Sequence, residues 1–236
     1  MTAPRLVMFA LDYLAAPPWL AVLSEAERRH GATLEGRQQR RFLNGRIALR
    51  VSAAQLLDCA TTQVGIERNT LGQLSISVPE PLFVSLSYGA HMGLLLLAST
   101  RIGLDYEDGP APVFWQSAMR RYLCQCEQRW LQAQDAATQE REQGFVWLWT
   151  RREAFLKYLG VGIRGKRQCL CDLSEDEQPC QRRFNLAGGT GTLVSEEPLN
   201  GLQTRFLTFD TASPSPFDDL LHWPEMPNIG VHSRPG

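Results

Sequence analysis

Two apolar runs lie almost back to back in this chain, "LFVSLSY" at 82–88 and "MGLLLLAS" at 92–99, separated by Gly89, Ala90 and His91. By length and flanking residues they predict buried β-strands joined as a hairpin. "TRIGLDYED" at 100–108 continues into a third extended piece, which Pro110 and Pro112 end. Neither run approaches the ~18 residues of a membrane span, so no membrane partner is expected.

Helices flank this β-rich part. Ser24 followed three places on by Glu27 predicts a capping box opening a helix at "LSEAERRH". "QQRRFLNGRIALRVSAAQLLDC" (38–59) predicts a longer helix, with an apolar stripe of Phe42, Leu49, Ala53, Leu56 and Leu57. Residues 5–13 alternate loosely and predict a strand. The second half repeats the order of helix, then strands, without sequence repetition. "FWQSAMRRYLCQCEQRWLQAQ" (114–134) reads as one helix and "QGFVWLWTRREAFLKYLG" (143–160) as another, closed by Gly160 and Gly162. After it come Arg164, Lys166 and Arg167, then irregular sequence, then strand-like "LQTRFLTF". From Thr211 the chain is Pro-rich without periodicity, as in a surface or disordered tail.

Composition narrows the function class. A net charge of −1 argues against general nucleic-acid binding. The N-terminal apolar run "LVMFAL" meets Asp12 too soon for a signal-peptide core. The six cysteines include two C-x-C pairs, Cys124/Cys126 and Cys169/Cys171, which is not the C-x-x-C spacing that suits tetrahedral zinc. They read as reduced thiols, and the expected location is cytoplasmic. The common nucleotide-loop and hydrolase motifs are missing: there is no G-x-x-x-x-G-K-[ST], no H-E-x-x-H and no G-x-S-x-G. Gly160 and Gly162 follow a helix, where a dinucleotide fold needs them after a strand.

What remains is a set of charged residues. Asp105 and Glu107, two apart on a strand, face one side. They are either solvated loop acids or, since like charges so close need neutralising, ligands for a hard divalent ion such as Mg²⁺. In "WTRREAFLKYLGVGI" (149–163), Trp149, Glu153 and Lys157 recur every four residues along one helix face. Glu153 and Lys157 form either a wet helix pair or a third carboxylate and an ammonium for a phosphate. The chain holds 22 Arg and only two Lys, Lys157 and Lys166, which singles out Lys157 weakly. From Arg28 to Arg50 there are seven Arg against one acid, Glu35: a solvated face or a phosphate cradle. Ser87 and Tyr88, at a strand end, could offer hydroxyls to a ligand.

These stretches together resemble the surfactin-synthetase-activating (Sfp) type of 4′-phosphopantetheinyl transferase. That family carries a W-[ST]-x-K-E-x-x-x-K-x-x-G-x-G-[LI] helix, a G-[IL]-D-x-E strand end, and a strand ending in Ser-His before a hairpin. It also has an N-terminal LS-x-x-E-x-x-R followed by RRFL-x-GR-x-x-LR. Here they stand as "WTRREAFLKYLGVGI", "GLDYE", "SLSYG", and "LSEAERR" with "RRFLNGRIALR", in family order over residues 23–163. The resemblance implies an α+β fold of two pseudo-symmetric halves, each a small, mainly antiparallel sheet packed against helices, with the active site in the cleft between them. It places the halves at 1–104 and 105–212, with a Pro-rich tail at 213–236. The implied activity is a holo-carrier-protein synthase, a monomer. It moves phosphopantetheine from coenzyme A to a serine of an acyl or peptidyl carrier protein, with Mg²⁺, releasing adenosine 3′,5′-bisphosphate. The implied metal ligands are Asp105, Glu107 and Glu153, with Glu153 also assisting removal of the serine proton. Lys157 would bind the diphosphate. Arg29, Arg41 and Arg46 would contact the nucleotide end, and Ser87 and Tyr88 the 3′-phosphate.

Three positions depart from the family pattern. Tyr88 stands for its His, Arg152 for the Lys before Glu153, and Gln73 for the Lys of a G-K-P segment. The first and last remove cations from the expected phosphate site. They are what a non-catalytic relative, binding carrier protein or nucleotide without transfer, would show. Retention of all three acids and Lys157 favours catalysis.

Overall fold

The structure is a computed structural model that describes residues 3–77, 82–134, 138–161, 169–209, 221–222, 224 and 226. In chain order the elements are β1 (Arg5–Ala10), α1 (Pro17–Leu20), α2 (Glu25–Ala32), α3 (Gly36–Leu57), β2 (Gly65–Arg68), β3 (Leu74–Ser77), β4 (Leu82–Tyr88), β5 (Met92–Ala98) and β6 (Ile102–Glu107). There follow α4 (Trp115–Tyr122), α5 (Gln125–Ala133), α6 (Thr138–Tyr158), β7 (Cys180–Leu186), β8 (Gly189–Ser195), β9 (Gln203–Leu207) and β10 (Leu221–His222). The chain is α+β, with two sheets ordered β2-β3-β4-β5-β1-β9 and β10-β7-β8-β6.

The hairpin forms as its apolar pattern requires, with Ser87 opposite Leu94 and Phe83 opposite Ala98. β5 is apolar on both faces because both are covered. Leu95 and Leu97 pack with Ile47, Ala48 and Leu49 of α3. Leu94, Leu96 and Ala98 pack with Ile102, Leu104 and Tyr106 of β6. β1, antiparallel to β5, divides the same way, Val7 and Phe9 to one side, Leu6 and Met8 to the other. The layers thus run α3, first sheet, second sheet, α6, the last joined through Ala154 and Phe155 against Val194.

Several sequence expectations are met locally. Ser24 Oγ accepts from Glu27 N–H at 3.2 Å and Glu27 Oε2 from Ser24 N–H at 2.9 Å, the expected capping box. Glu27 also takes Arg50 Nε at 2.7 Å, fixing α2 against α3. α6 ends in a left-handed Gly160 (φ +70°), with Val161 N–H bonded to Leu156 O and Gly160 N–H to Lys157 O. Those two bonds satisfy carbonyls the helix end would otherwise orphan.

Other expectations need correction. The single helix at 114–134 is two, α4 and α5, broken at Leu123. Cys124 caps α5, its Sγ accepting from Glu127 N–H and its N–H donating to Glu127, the part a serine plays in α2. The irregular stretch after α6 contains the β7–β8 hairpin, turned at Ala187 and Gly188 (φ +47° and +83°). Positive φ at both turn residues matches the twist of the strands, but Ala187 is not a residue that advertises it. β9 runs parallel to β1 in the first sheet. Within the tail, Leu221 and His222 pair with β7 and Met226 packs against the α4–α6 core. Gly162, Arg164, Lys166 and Arg167 lie outside the described residues. No helix among the described residues is long and apolar enough to cross a membrane, and all six cysteines are free thiols.

Candidate active site

β6 is the last strand of the second sheet, and the edge it leaves unpaired by β8 is buried against β4. Buried backbone groups need partners, and side chains supply them. Ser85 Oγ accepts from Leu104 N–H at 2.9 Å and Ser87 Oγ from Tyr106 N–H at 3.1 Å. Lys157 Nζ, reaching in from α6, donates to Leu104 O at 2.9 Å and Leu86 O at 3.0 Å. It also donates to Asp105 Oδ1 at 2.7 Å, where Ser87 Oγ donates at 2.9 Å. α6 comes this close because Gly103 has no side chain: a Cβ there would stand 1.9 Å from Ala154 O.

Asp105 is 6% exposed. Its Oδ1 is doubly bonded, while Oδ2 is buried without a hydrogen-bond partner. Among the described residues it is the one acceptor in that condition; the other buried unpartnered side-chain atoms are nitrogen donors. Two more carboxylates face it. Burial, then the charges of Asp105 and Asp108, push Glu107 up to about 7. Burial and then Asp105 raise Glu153 as well. The three are electrostatically coupled but not closed to ligand spacing, since their oxygens do not all come within 4.8 Å of one another. The arrangement suits a divalent cation, because an uncoordinated buried oxygen and two acids resisting ionisation beside it all gain from positive charge. Asp105, Glu107 and Glu153 could hold it.

The acids lie between cavities of different character. On one side is a cleft of about 390 Å³ whose lining includes His30, Arg46, Arg68, Tyr88, Glu153 and Lys157. On the other, Glu107 lines a cavity of about 810 Å³ with Asp108, Glu142 and Arg183, and one of about 340 Å³ with Phe114, Phe145 and Trp149. In the basic cleft, burial holds Arg46 below its usual range; Glu27 and Tyr88 oppose this, and the charge of Arg68 adds to it. Burial pushes the Tyr88 phenol up to about 12, so it is a neutral donor.

The residues expected from sequence are partly brought together. Glu153, Lys157, Tyr88 and Arg46 meet in the basic cleft. Ser87 stands behind it, bonded to β6. Arg41 donates to Tyr88 O and Gly89 O at 3.0 and 2.9 Å and shares the field of Glu107. Arg29 does not line the cleft; it pairs with Glu25 on the exposed face of α2 at 3.4 Å. The ion pair of Lys157 is with Asp105, where the sequence suggested Glu153. Gln73 packs against Gly160 and donates to Lys157 O at 3.4 Å, closing the end of α6. Sequence reasoning missed Arg68 and His30. Arg68 is held over the Gly72 turn, its Nε 3.2 Å from Gly72 O, and brings a cation beside Gln73. Its only signal was adjacency to the "GQL" segment.

The sequence model of the 4′-phosphopantetheinyl transferase superfamily matches residues 101–201, from the start of β6 past the end of β8. A protein of Synechocystis sp., slr0495, which carries a provisional 4′-phosphopantetheinyl transferase name, is 31% identical over 168 residues, covering 69% of this chain and 67% of its own. The chain belongs to the 4′-phosphopantetheinyl transferase superfamily.

Proposed function

We infer that this protein transfers 4′-phosphopantetheine from coenzyme A to a serine hydroxyl of an acyl or peptidyl carrier protein, in a Mg²⁺-dependent reaction that releases adenosine 3′,5′-bisphosphate. The observation that carries this reading is the buried, unpartnered Oδ2 of Asp105, flanked by Glu107 and Glu153 beside a basic cleft. Asp105, Glu107 and Glu153 would hold the ion. When bound, it offsets the charge of the diphosphate and of the oxygens that become negative as the bond to the nucleotide breaks.

The chain's own residues account for the other requirements. Arg46 and Arg68 bind the phosphates of the nucleotide end, with Tyr88 as a neutral donor beside them. Arg68 restores part of the charge lost at Gln73. Glu153, whose carboxyl burial raises, is suited to take the serine proton. Lys157 holds Asp105 and the β4–β6 junction in register; to touch the diphosphate it must release one of its three acceptors. The carrier protein meets the opposite side of the acids. There Phe114, two-thirds exposed, lines a cavity with Glu107 and Trp149, and Val113 is fully exposed beside it.

The engagement of Lys157 favours a second reading, a relative that binds nucleotide or carrier protein without transfer. Incubation of apo carrier proteins with coenzyme A and Mg²⁺, read by intact mass, separates the two. A gain of one phosphopantetheine, lost in Glu153→Gln with the melting temperature preserved, supports transfer. Binding of coenzyme A with no mass gain on any carrier type refutes it.

A further inference from the structure

The two C-x-C pairs, unsuited in spacing to a tetrahedral site, converge in space. Cys124 caps α5 and Cys126 lies in its first turn, while Cys169 caps a short 3-10 turn, Leu170–Asp172, that holds Cys171. Cys126, Cys169 and Cys171 form a buried cluster with Cys124 packed on it. The sulfurs of Cys124, Cys169 and Cys171 and a carboxylate oxygen of Glu127 all lie within 4.8 Å of one another. Cys124 Sγ and Cys171 Sγ are 3.8 Å apart. That is far from a disulfide bond of ~2.05 Å. It is the separation of two sulfurs each ~2.3 Å from one tetrahedral zinc, ~3.8 Å by simple geometry.

The surroundings suit thiolates. Glu127 N–H points at Cys124 Sγ and Cys171 N–H at Cys169 Sγ, both at 3.4 Å. The cavity lined by Cys124 and Cys169 also holds Arg120, Arg121 and Arg152, and Arg152 Nε is buried without a partner. Those cations offset the net negative charge of four thiolates around a divalent ion. Glu127 is already committed, its Oε2 to Cys124 N–H and its Oε1 to Arg151 Nη1, each at 3.0 Å. A hard carboxylate oxygen is also a poorer match than sulfur for a soft site.

We propose that Cys124, Cys126, Cys169 and Cys171 bind one structural Zn²⁺, separate from the carboxylate site, with Glu127 and Arg151 orienting its ligands. The ion ties the start of α5 to the Leu170–Asp172 turn. Through Arg151, two residues before Glu153, it also fixes the helix that carries the candidate catalytic side chains.

The test is elemental analysis of the full chain purified without chelator, with cobalt substitution as an independent probe. Zinc at a one-to-one ratio, and cobalt-loaded protein with the charge-transfer and ligand-field bands of a tetrahedral thiolate site, are expected. Cys126→Ser and Cys169→Ser should lose the metal, while Glu127→Gln and the control Cys59→Ser keep it. Metal-free wild-type protein whose four thiols react freely overturns the proposal. So does a mass deficit showing a disulfide among them, or a Cys126→Ser variant that retains zinc while Glu127→Gln loses it. Metal content is read on the wild-type chain, so poor folding of a variant leaves the test standing. Absence of transfer activity would not bear on it.

Discussion

Lys157 offers the sharpest discrimination between a residue that serves a ligand and one that serves the fold. Lys157→Met keeps the aliphatic stem and removes the ammonium. Asp105 Oδ1 then keeps only the Ser87 hydroxyl, Leu86 O loses the lysine donor, and Leu104 O keeps only the long contact from Ser85 Oγ at 3.5 Å. Breaking one side of a buried ion pair costs ~3–5 kcal/mol. The pair is unequal, the lysine side chain 30% exposed and the aspartate 8%, so solvent screening discounts that term to ~2 kcal/mol. Loss of the lysine bond at each of these two carbonyls adds ~1 kcal/mol. The expected loss is therefore ~4 kcal/mol, or a melting temperature roughly 10 °C lower for a chain of this size. Urea denaturation in EDTA, followed by tryptophan fluorescence, measures it free of any metal contribution. The same substitution in an Asp105→Asn background should lose about 2 kcal/mol less, because the charge it would strand is gone. If Lys157→Met stays within ~0.5 kcal/mol of the parent, or the two changes add, the ammonium is not a strut between the sheets. Its loss would then be felt only in turnover, as a diphosphate contact.

Other expectations follow from single features of the site. Glu107 is raised from 4.5 to about 7, so between those values the folded state holds more protons than the unfolded one. Metal-free stability should therefore decline as pH rises from about 4.5 through about 7. Thermal melts in EDTA should show a shallower decline in Glu107→Gln, Glu127 (also raised to about 7) and Glu153, raised as well, carrying the rest; equal slopes in variant and wild type would contradict the assignment. Arg68→Ala should raise KM for coenzyme A by ~10- to 100-fold with kcat little changed, the loss of one charge-assisted hydrogen bond; an unchanged KM in steady-state kinetics would remove Arg68 from the phosphate site. Gly103→Ala places a methyl 1.9 Å from Ala154 O, where only backbone can yield. It should lower stability by ~3 kcal/mol or more and abolish transfer; a melting temperature within a few degrees of wild type would show that α6 does not cross β6 there.

What the sequence disclosed and what it hid divide along physical lines. β5 was legible because a strand covered on both faces is apolar throughout. α2 and α6 were legible because a capping box and a helix-closing glycine are local devices. The β7–β8 hairpin was not, because "CQRRFNL" mixes polar and apolar residues and its turn uses Ala187 where Asn or Asp would signal it. The break between α4 and α5 was hidden because cysteine does the capping usually done by serine. The acids could be singled out as candidates through a strand period and a helix period. The partners of Lys157 and Ser87 were not, because they are backbone groups of β4 and β6 and one oxygen of Asp105, all distant in sequence. Arg68 escaped because a lone arginine on a polar strand resembles any other.

The origin of the site lies in how the two sheets meet. Had β6 joined the first sheet through an ordinary ladder, backbone would have met backbone and no side chain would be needed between them. Instead its buried edge is completed by Ser85, Ser87 and Lys157, and the last two also reach one oxygen of Asp105. The other oxygen is left facing inward with nothing to accept. A protein that needed only stability would close that gap with one more donor, since an unmet buried acceptor costs ~1–3 kcal/mol. Five unpartnered buried donors elsewhere in the described residues and a single acceptor here show that the gap is not a general shortage of donors. It is an electrostatic deficit located beside two further carboxylates, Glu107 and Glu153, and it suits positive charge supplied from outside the chain.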